Sequence, residues 1–478
     1  MEKHHDVKYY VHSLIGVLLM FGVGFLPPIA PLTPMGMQIL GVFFGTIYLW
    51  SMVDNIWPSV LGLIALGLTD YCTIPEAIAK GMSSPILWQI MLMLIIAGGI
   101  SETQFTSAVI NWLLHKKFVQ GRPWVISGIF LFATYFLVVL VNIPAIILMW
   151  ALLYKMADLV GYKKGDKYMT TMVIGMFVAF IFGNCIFPFT GIRAALCSAY
   201  SKLSGAEISY AIYMLVTILV AICSLLLYLA AMKFIFRVDT RKLQGFSVDQ
   251  LLDEKIELTL REKISIYGFL IGMVFVALIG IVPKSSALGQ ILNTLSLSGL
   301  FALILVVLSA IHIDGKSVIN VQQMASKYLQ WGVIFIIVAI LPIADAISAE
   351  ETGINAMIHQ LLSPVFAGQS PVTFLILVVI ISLVLTNIGS NVGMGMLILP
   401  IVVQVAPMIG ANTTILALLL IYLVNIAFVL PGASPLAALL YGNDWIKPTD
   451  IYRYGIFALV ITAVVVCVLI YPLLNVLM

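Results

Sequence analysis

Long apolar runs separated by short polar stretches dominate the chain. A bilayer-spanning helix needs about 20 such residues. Runs of that kind fall near 10–28, 35–51, 55–70, 85–101, 168–204 and 208–236. A charged stretch at 237–262 follows, and further runs lie near 263–283, 293–312, 329–346, 411–442 and 454–477. They predict an all-α polytopic membrane protein with about eleven transmembrane helices. The first run ends at Pro27-Pro28 with no small-residue cleavage site, so it reads as a retained helix and not as a signal peptide. Two further apolar segments, 123–160 and 370–410, are too long for one crossing, and each carries an asparagine near its middle. Each reads as a re-entrant hairpin, two half-helices meeting at an irregular tip; a pair of short helices joined by a kink is the alternative.

The interruptions recur about 250 residues apart. The first copy runs Leu137 to Val141, Asn142, Ile143, Pro144, and is followed by Asn184 to Pro188, Thr190, Gly191 and Arg193. The second runs Thr386, Asn387, Gly389, Ser390, Asn391, and is followed by Asn425, Pro431, Gly432, Ala433, Ser434 and Pro435. Backbone that leaves the helix at membrane depth must be buried in protein or line a wet cavity. Broken helices at matching places in two halves mark a transporter's binding site.

A weaker likeness pairs Trp88 to Trp112 with Trp331 to Leu362 in the same order relative to the Asn motifs. With the N-terminus in the cytoplasm, all of the 24 Lys and Arg residues except Lys80, Arg193, Lys202 and Lys284 fall on the cytoplasmic side. This is the positive-inside pattern, and it puts the C-terminus outside. The organisation expected is an extra N-terminal helix (1–34), a first repeat (35–236) with hairpin 123–160 and broken helix 168–204, a cytoplasmic linker (237–262), and a second repeat (263–478) with hairpin 370–410 and broken helix 411–442. Five spans and one hairpin per repeat make the repeat inverted, which suits alternating access around a midplane site.

Composition sharpens this picture. The chain is 62% hydrophobic and 9% charged, with a formal net charge of +3, so a soluble domain is excluded and no basic block points to nucleic acid. The five cysteines have no metal-ligand spacing, and no nucleophile, base or phosphate-cradle motif indicates an enzyme. Thr386, Ser390 and Asn391 offer hydroxyl and amide oxygens within six residues. With a freed carbonyl at Ala433 they could hold a sodium ion, or serve close helix packing instead. The first tip has Leu137 and Val141 at the equivalent places, so a sodium site there is weak or missing. Arg193 follows Thr190-Gly191 inside a long apolar segment. Such a residue is a functional candidate, its planar fork suited to a carboxylate; snorkelling to the interface is the other reading. Glu102, Asp345, Glu350 and Glu351 stand at span ends and read as solvated or capping.

This order of motifs resembles the divalent-anion/sodium symporter (DASS) family of the ion transporter superfamily, over nearly the whole chain. That family carries Ser-Asn-Thr at each hairpin tip; here the triplets are Val141-Asn142-Ile143 and Ser390-Asn391-Val392. Its later breaks match Thr190-Gly191-Ile192-Arg193 and Ala433-Ser434-Pro435. The resemblance implies an elevator-type secondary transporter of di- or tricarboxylates such as succinate, malate or citrate, in the cell membrane. It also implies a homodimer, sodium as coupling ion and no other cofactor. Substrate contacts would come from Asn142, Thr190, Gly191, Arg193, Ser390, Asn391, Ser434 and Pro435, and sodium contacts from Thr386, Ser390, Asn391 and Ala433. A sodium-independent exchanger, a carrier of another organic anion, a channel and a membrane enzyme are the alternatives.

Overall fold

The structure is a computed structural model, and it describes residues 7–105, 108, 122–244, 257–282, 285–366, 369–388, 391–431 and 433–478. It is almost wholly helical. The helices are α1 (Val7–Gly22), α2 (Pro34–Met52), α3 (Ile56–Leu66), α4 (Ile74–Met82) and α5 (Pro85–Ser101). Then come α6 (Pro123–Val141), α7 (Ile143–Val160), α8 (Lys167–Asn184), α9 (Gly191–Ser204) and α10 (Tyr210–Phe234). The second half opens with α11 (Leu260–Ile281), α12 (Ala287–Ala310), α13 (Val321–Tyr328), α14 (Trp331–Ser348) and α15 (Ile354–Phe366). It closes with α16 (Pro371–Ile388), α17 (Asn391–Met408), α18 (Thr413–Leu423), α19 (Pro435–Tyr441) and a long rod, α20 (Pro448–Leu477). Between α12 and α13 a two-stranded ribbon pairs His312–Ile313 with Lys316–Ser317.

Local chemistry sets many of the starts. Thr33 accepts from the Gly36 N–H ahead of Pro34, while Thr73 with Glu76 and Thr259 with Glu262 form reciprocal capping boxes. These satisfy backbone donors that the first helical turn leaves free. Proline stands first in α5 and α6 and second in α4, where its missing N–H breaks no helical bond.

Among the described residues ten helices are long and apolar enough to cross a membrane, or eleven if the pair α4/α5, bent by 47°, counts as one span. The total agrees with the sequence, but its members differ. The span expected at 55–70 is α3, only 11 residues long. An unforeseen amphipathic α4, carrying Glu76 and Lys80, follows it. Gly67 ends α3, and at 1.5 Å per residue so short a helix covers about half of a bilayer core. Three of the long helices, α7, α16 and α17, are hairpin arms. In both hairpins the two arms pack on each other, α6 against α7 and α16 against α17.

Helix order repeats: α2 to α5 correspond to α11 to α14, α6/α7 to α16/α17, α8/α9 to α18/α19, and α10 to α20. The halves interlock. The fourth helix of the second half, α14, packs on α2, α3 and α4, while α5 packs on α11, α12 and α13. Such reciprocal packing is what a two-fold relation between repeats produces. Gly81 makes one of these contacts close, since its α-carbon lies against the Val338 carbonyl where a Cβ would collide. At the centre stand α8, buried from Tyr168 to Gly183, and α18, buried from Ile415 to Leu423. Both are hydrophobic all round, as core helices are.

Candidate functional site

The site is built from four interruptions. At the first hairpin tip α6 ends at Val141 and α7 begins at Ile143. Asn142 between them adopts φ +48°, ψ −125°. Asparagine is among the few non-glycine residues that tolerate positive φ. At the second tip α16 ends at Ile388 and Asn391 opens α17; Ser390 lies outside the described residues. The first broken helix stops at Asn184 and resumes at Gly191, whose φ of +58° requires glycine there. The second stops at Leu423 and resumes at Pro435.

All four converge on one cavity of about 610 Å³. Asn142, Thr190, Gly191, Arg193, Asn391 and Ser434, predicted separately from both halves, line it together. Asn184 and Asn425 add amides, Ser101, Tyr328 and Gln330 close one side, and Val138, Val139, Ile143, Pro144 and Ile181 make the first-tip side apolar. Ile143, Gly191 and Asn391 are also the first residues of α7, α9 and α17. Three helices therefore begin at the space, and their N-terminal dipoles favour an anion. Arg193 is the one charged residue among the described residues of the lining.

Arg193 is 5% exposed and does not snorkel. Nε donates to the Phe187 carbonyl at 2.9 Å, Nη2 to Thr190 Oγ1 at 2.7 Å, and Nη1 to Asn425 Oδ1 at 3.4 Å. The head group thus ties the first break to the second. Three of its five N–H donors are used in this way. The others have no oxygen partner among the described residues, and no described carboxylate pairs with it. A buried cation with no carboxylate partner among the described residues, in a cavity where three helices begin, has the chemistry to receive an anion.

The second tip is rich in oxygens. Thr386 Oγ1 lies 2.9 Å from Asn391 Oδ1 and also bonds the carbonyl of Val424. That carbonyl belongs to the chain just past the end of α18 and was not singled out from sequence; Ala433 is buried further along the same unwound stretch. Helix C-terminal carbonyls with a hydroxyl and an amide oxygen form a neutral oxygen set suited to a sodium ion. Asn387 does something else. Its Nδ2 donates to the carbonyls of Leu383 and Ile426 at 2.8 and 2.9 Å, and its Oδ1 accepts from the N–H groups of Phe428 and Val429, both at 2.9 Å. Every polar atom of that amide is spent on holding the unwound segment. Ser434 is similarly engaged, donating to the Ala427 carbonyl at 2.8 Å and accepting from Ala437 N–H at 3.1 Å. Pro435 starts α19.

The first tip lacks these devices. Leu137 and Val138 stand where the second half has Thr386 and Asn387, and the Asn142 Oδ1 atom is buried without a hydrogen-bond partner. Groups of three or more His, Cys, Asp or Glu arranged for a metal do not occur among the described residues.

Ion pairs sit at the ends of the bundle. Lys202 on α9 meets Asp345 on α14 at 3.4 Å. Just beyond α5, Glu102 accepts from the Lys327 ammonium and, at 2.6 Å, from the Tyr328 hydroxyl. These bonds, that of Lys327 first, hold its carboxyl below the ordinary value.

Set beside known proteins, residues 46–424 match the model of a family described as citrate transporter. An uncharacterized transporter of Methanocaldococcus jannaschii is 23% identical over 308 residues, which are 64% of each chain. The sodium-dependent dicarboxylate transporter SdcS of Staphylococcus saprophyticus is 24% identical over 275 residues, 57% of this chain and 52% of that one. The chain thus spans between half and two thirds of the length of these relatives. In fold it is similar to the crystal structure of the YdaH transporter of Alcanivorax borkumensis, with a TM-score of 0.53 and 12% identity over 91% of this chain and 98% of that one.

Proposed function

The chain belongs to the citrate transporter family, and from that premise we propose that it is a secondary active transporter of small organic anions, di- or tricarboxylates. The observation that carries the reading is the cavity in which two hairpin tips, two helix breaks and one buried guanidinium, with no carboxylate partner among the described residues, meet. A carboxylate of the substrate lies on Arg193 and on the N–H groups of Gly191 and Asn391. A sodium ion at the second tip, among Thr386, Asn391 and the Val424 carbonyl, is the coupling ion, in keeping with the sodium-dependent relative. The hairpins and broken helices move as one body against the remaining helices in an elevator cycle. The protein works as a homodimer in the cell membrane, N-terminus in the cytoplasm and C-terminus outside.

Purified protein in liposomes, loaded with a panel of labelled di- and tricarboxylates with and without a sodium gradient, tests this. Saturable uptake that is accelerated by internal substrate supports a carrier; absence of that acceleration would favour a channel. The bare first tip favours a second reading, sodium-independent exchange, and uptake unchanged when choline replaces sodium would select it.

A further inference from the structure

Lys80 and Lys202, both exceptions to the positive-inside pattern, meet at one carboxylate. Lys80 lies in the last turn of α4, Lys202 in the last turn of α9, and Asp345 in the last turn of α14. Lys202 Nζ is 3.4 Å from Asp345 Oδ1, and the Asp345 side chain is 25% exposed. Lys80 donates to the Tyr71 hydroxyl at 3.4 Å and is near enough to Asp345 for the two charges to attract. A helix C-terminus carries partial negative charge and disfavours a carboxylate. Asp345 therefore depends on a cation beside it, and two are within reach.

The two lysines stand on different bodies. α4 packs on α14, whereas α9 packs on α17 and α18, the second hairpin arm and the second broken helix, as well as on α14. In an elevator cycle α4 and α14 stay while α9 travels. α9 and α14 touch at both ends. At the cavity, Gln330 Oε1 lies 3.9 Å from where a Cβ on Gly191 would stand. About 22 Å further along α14, at 1.5 Å per residue, Lys202 meets Asp345. On the static side the cavity is bounded by Asn55, Ser101, Tyr328 and Gln330, which the charge pattern puts at the cytoplasmic ends of their helices. This arrangement opens to the cytoplasm, and the ion pair closes its far end.

Resting on the reading of the chain as an elevator carrier, we propose that Lys202 and Asp345 form a latch for the inward-facing state, and that Lys80 takes over the carboxylate when α9 moves away. Lys202 stabilises only the state in which α9 is close. Lys80 stays beside Asp345 throughout, and it matters most where Lys202 has left. A partly exposed ion pair is weak, so the latch biases the carrier without locking it. The expected bias is about two- to fivefold in the ratio of the two states.

Pulsed electron-spin distance measurement on the purified protein in liposomes reads that ratio without substrate. The labels are carried on non-natural side chains, so the native cysteines stay in place. One is at Lys163, between α7 and α8 on the moving body, and the other at Lys316, in the ribbon of the static body; both positions are exposed. Lys202→Met raises the outward population relative to the inward one by about two- to fivefold, and Lys80→Met lowers it. Two lysines with a merely structural role would not act with opposite signs. In an Asp345→Asn background neither lysine substitution moves the ratio further. Lys202→Glu, which brings like charges together, raises the outward population more than Lys202→Met does. A ratio unchanged by Lys202→Met, or moved the same way by both lysine substitutions, overturns the latch. A single distance in every variant, Lys202→Glu included, with and without citrate and sodium, overturns the elevator reading itself.

Discussion

Replacing Arg193 by alanine removes the one charge from the described lining of the cavity. A carboxylate about 4 Å from a guanidinium gains roughly 4 kcal/mol at an effective dielectric of about 20, and a hydrogen bond to a charged group contributes about 1.5–3 kcal/mol on its own scale. The two figures overlap and are not summed. Water filling the truncated site returns part of the loss. A net cost of about 3 kcal/mol, roughly a hundredfold in affinity, is the expected result. Arg193→Lys keeps the charge and loses the planar fork, so its loss should be near tenfold. Calorimetric titration with the tightest-binding acid, at saturating sodium, reads both. Arg193 also bonds Phe187, Thr190 and Asn425, and a collapsed break could imitate lost binding. Added guanidinium chloride separates the two causes: if the charge matters, millimolar guanidinium should recover uptake in Arg193→Ala but not in Asn391→Ala. A folded Arg193→Ala protein that binds substrate within about twofold of the natural affinity would refute the anion-receptor assignment.

Three further outcomes follow from the same geometry. Thr386→Val removes a hydroxyl without changing shape and should weaken sodium activation of uptake by roughly tenfold, with a Hill coefficient near one in the natural protein; a clear two-ion sigmoid would contradict a bare first tip. Asn387→Leu leaves three backbone groups of the unwound segment, at Ile426, Phe428 and Val429, without partners and should cost about 3 kcal/mol or more of stability, read as a large drop in thermal midpoint in detergent even without substrate. Glu102 has its carboxyl pKa lowered by Lys327 and Tyr328, so its contribution to stability is complete above the ordinary carboxylate pKa and is lost as pH falls through the lower folded value. The gap in thermal midpoint between the natural protein and Glu102→Gln should therefore close on acidification below that range, and a gap independent of pH would remove the clasp from the argument.

The hairpins were expected because each apolar run is too long for one crossing and carries an asparagine near its middle, where no helix core needs one. The breaks at Thr190-Gly191 and Ala433-Ser434-Pro435 were legible through glycine and proline chemistry. α4 was not: its nine residues, with Glu76 and Lys80 on one face, resemble a surface loop in any count of apolar run length. The role of Asn387 was not legible, because a sequence shows an amide one turn ahead of Asn391 but not the chain at Ile426 to Val429 folded back upon it. That Asn425 belongs to the site could have been guessed from its alignment with Asn184. The direction of Arg193 could not, since it follows from how α9 leaves the turn at Gly191, whose φ of +58° a sequence does not show.

An inverted repeat starts from two equivalent halves, so each difference between them has a physical consequence. In the second half Asn387 pins the unwound chain, and a dissociable ion can supply the positive charge. In the first half Val138 can pin nothing, and Arg193 does both jobs: it bonds the break at Phe187 and Thr190 and leaves a permanent charge in the cavity. The two kinds of charge are not interchangeable in a transport cycle. An ion that binds on one side and leaves on the other adds the energy of its gradient, together with about 2.3 kcal/mol for each charge moved across 100 mV. A guanidinium carried across with the substrate returns with the empty carrier, so its voltage terms cancel over the cycle. In the proposed elevator cycle Arg193 would strengthen binding on both sides equally and lend nothing to accumulation. The drive would then be confined to the substrate gradient, the membrane potential acting on the substrate's own charge, and an ion bound at the second tip.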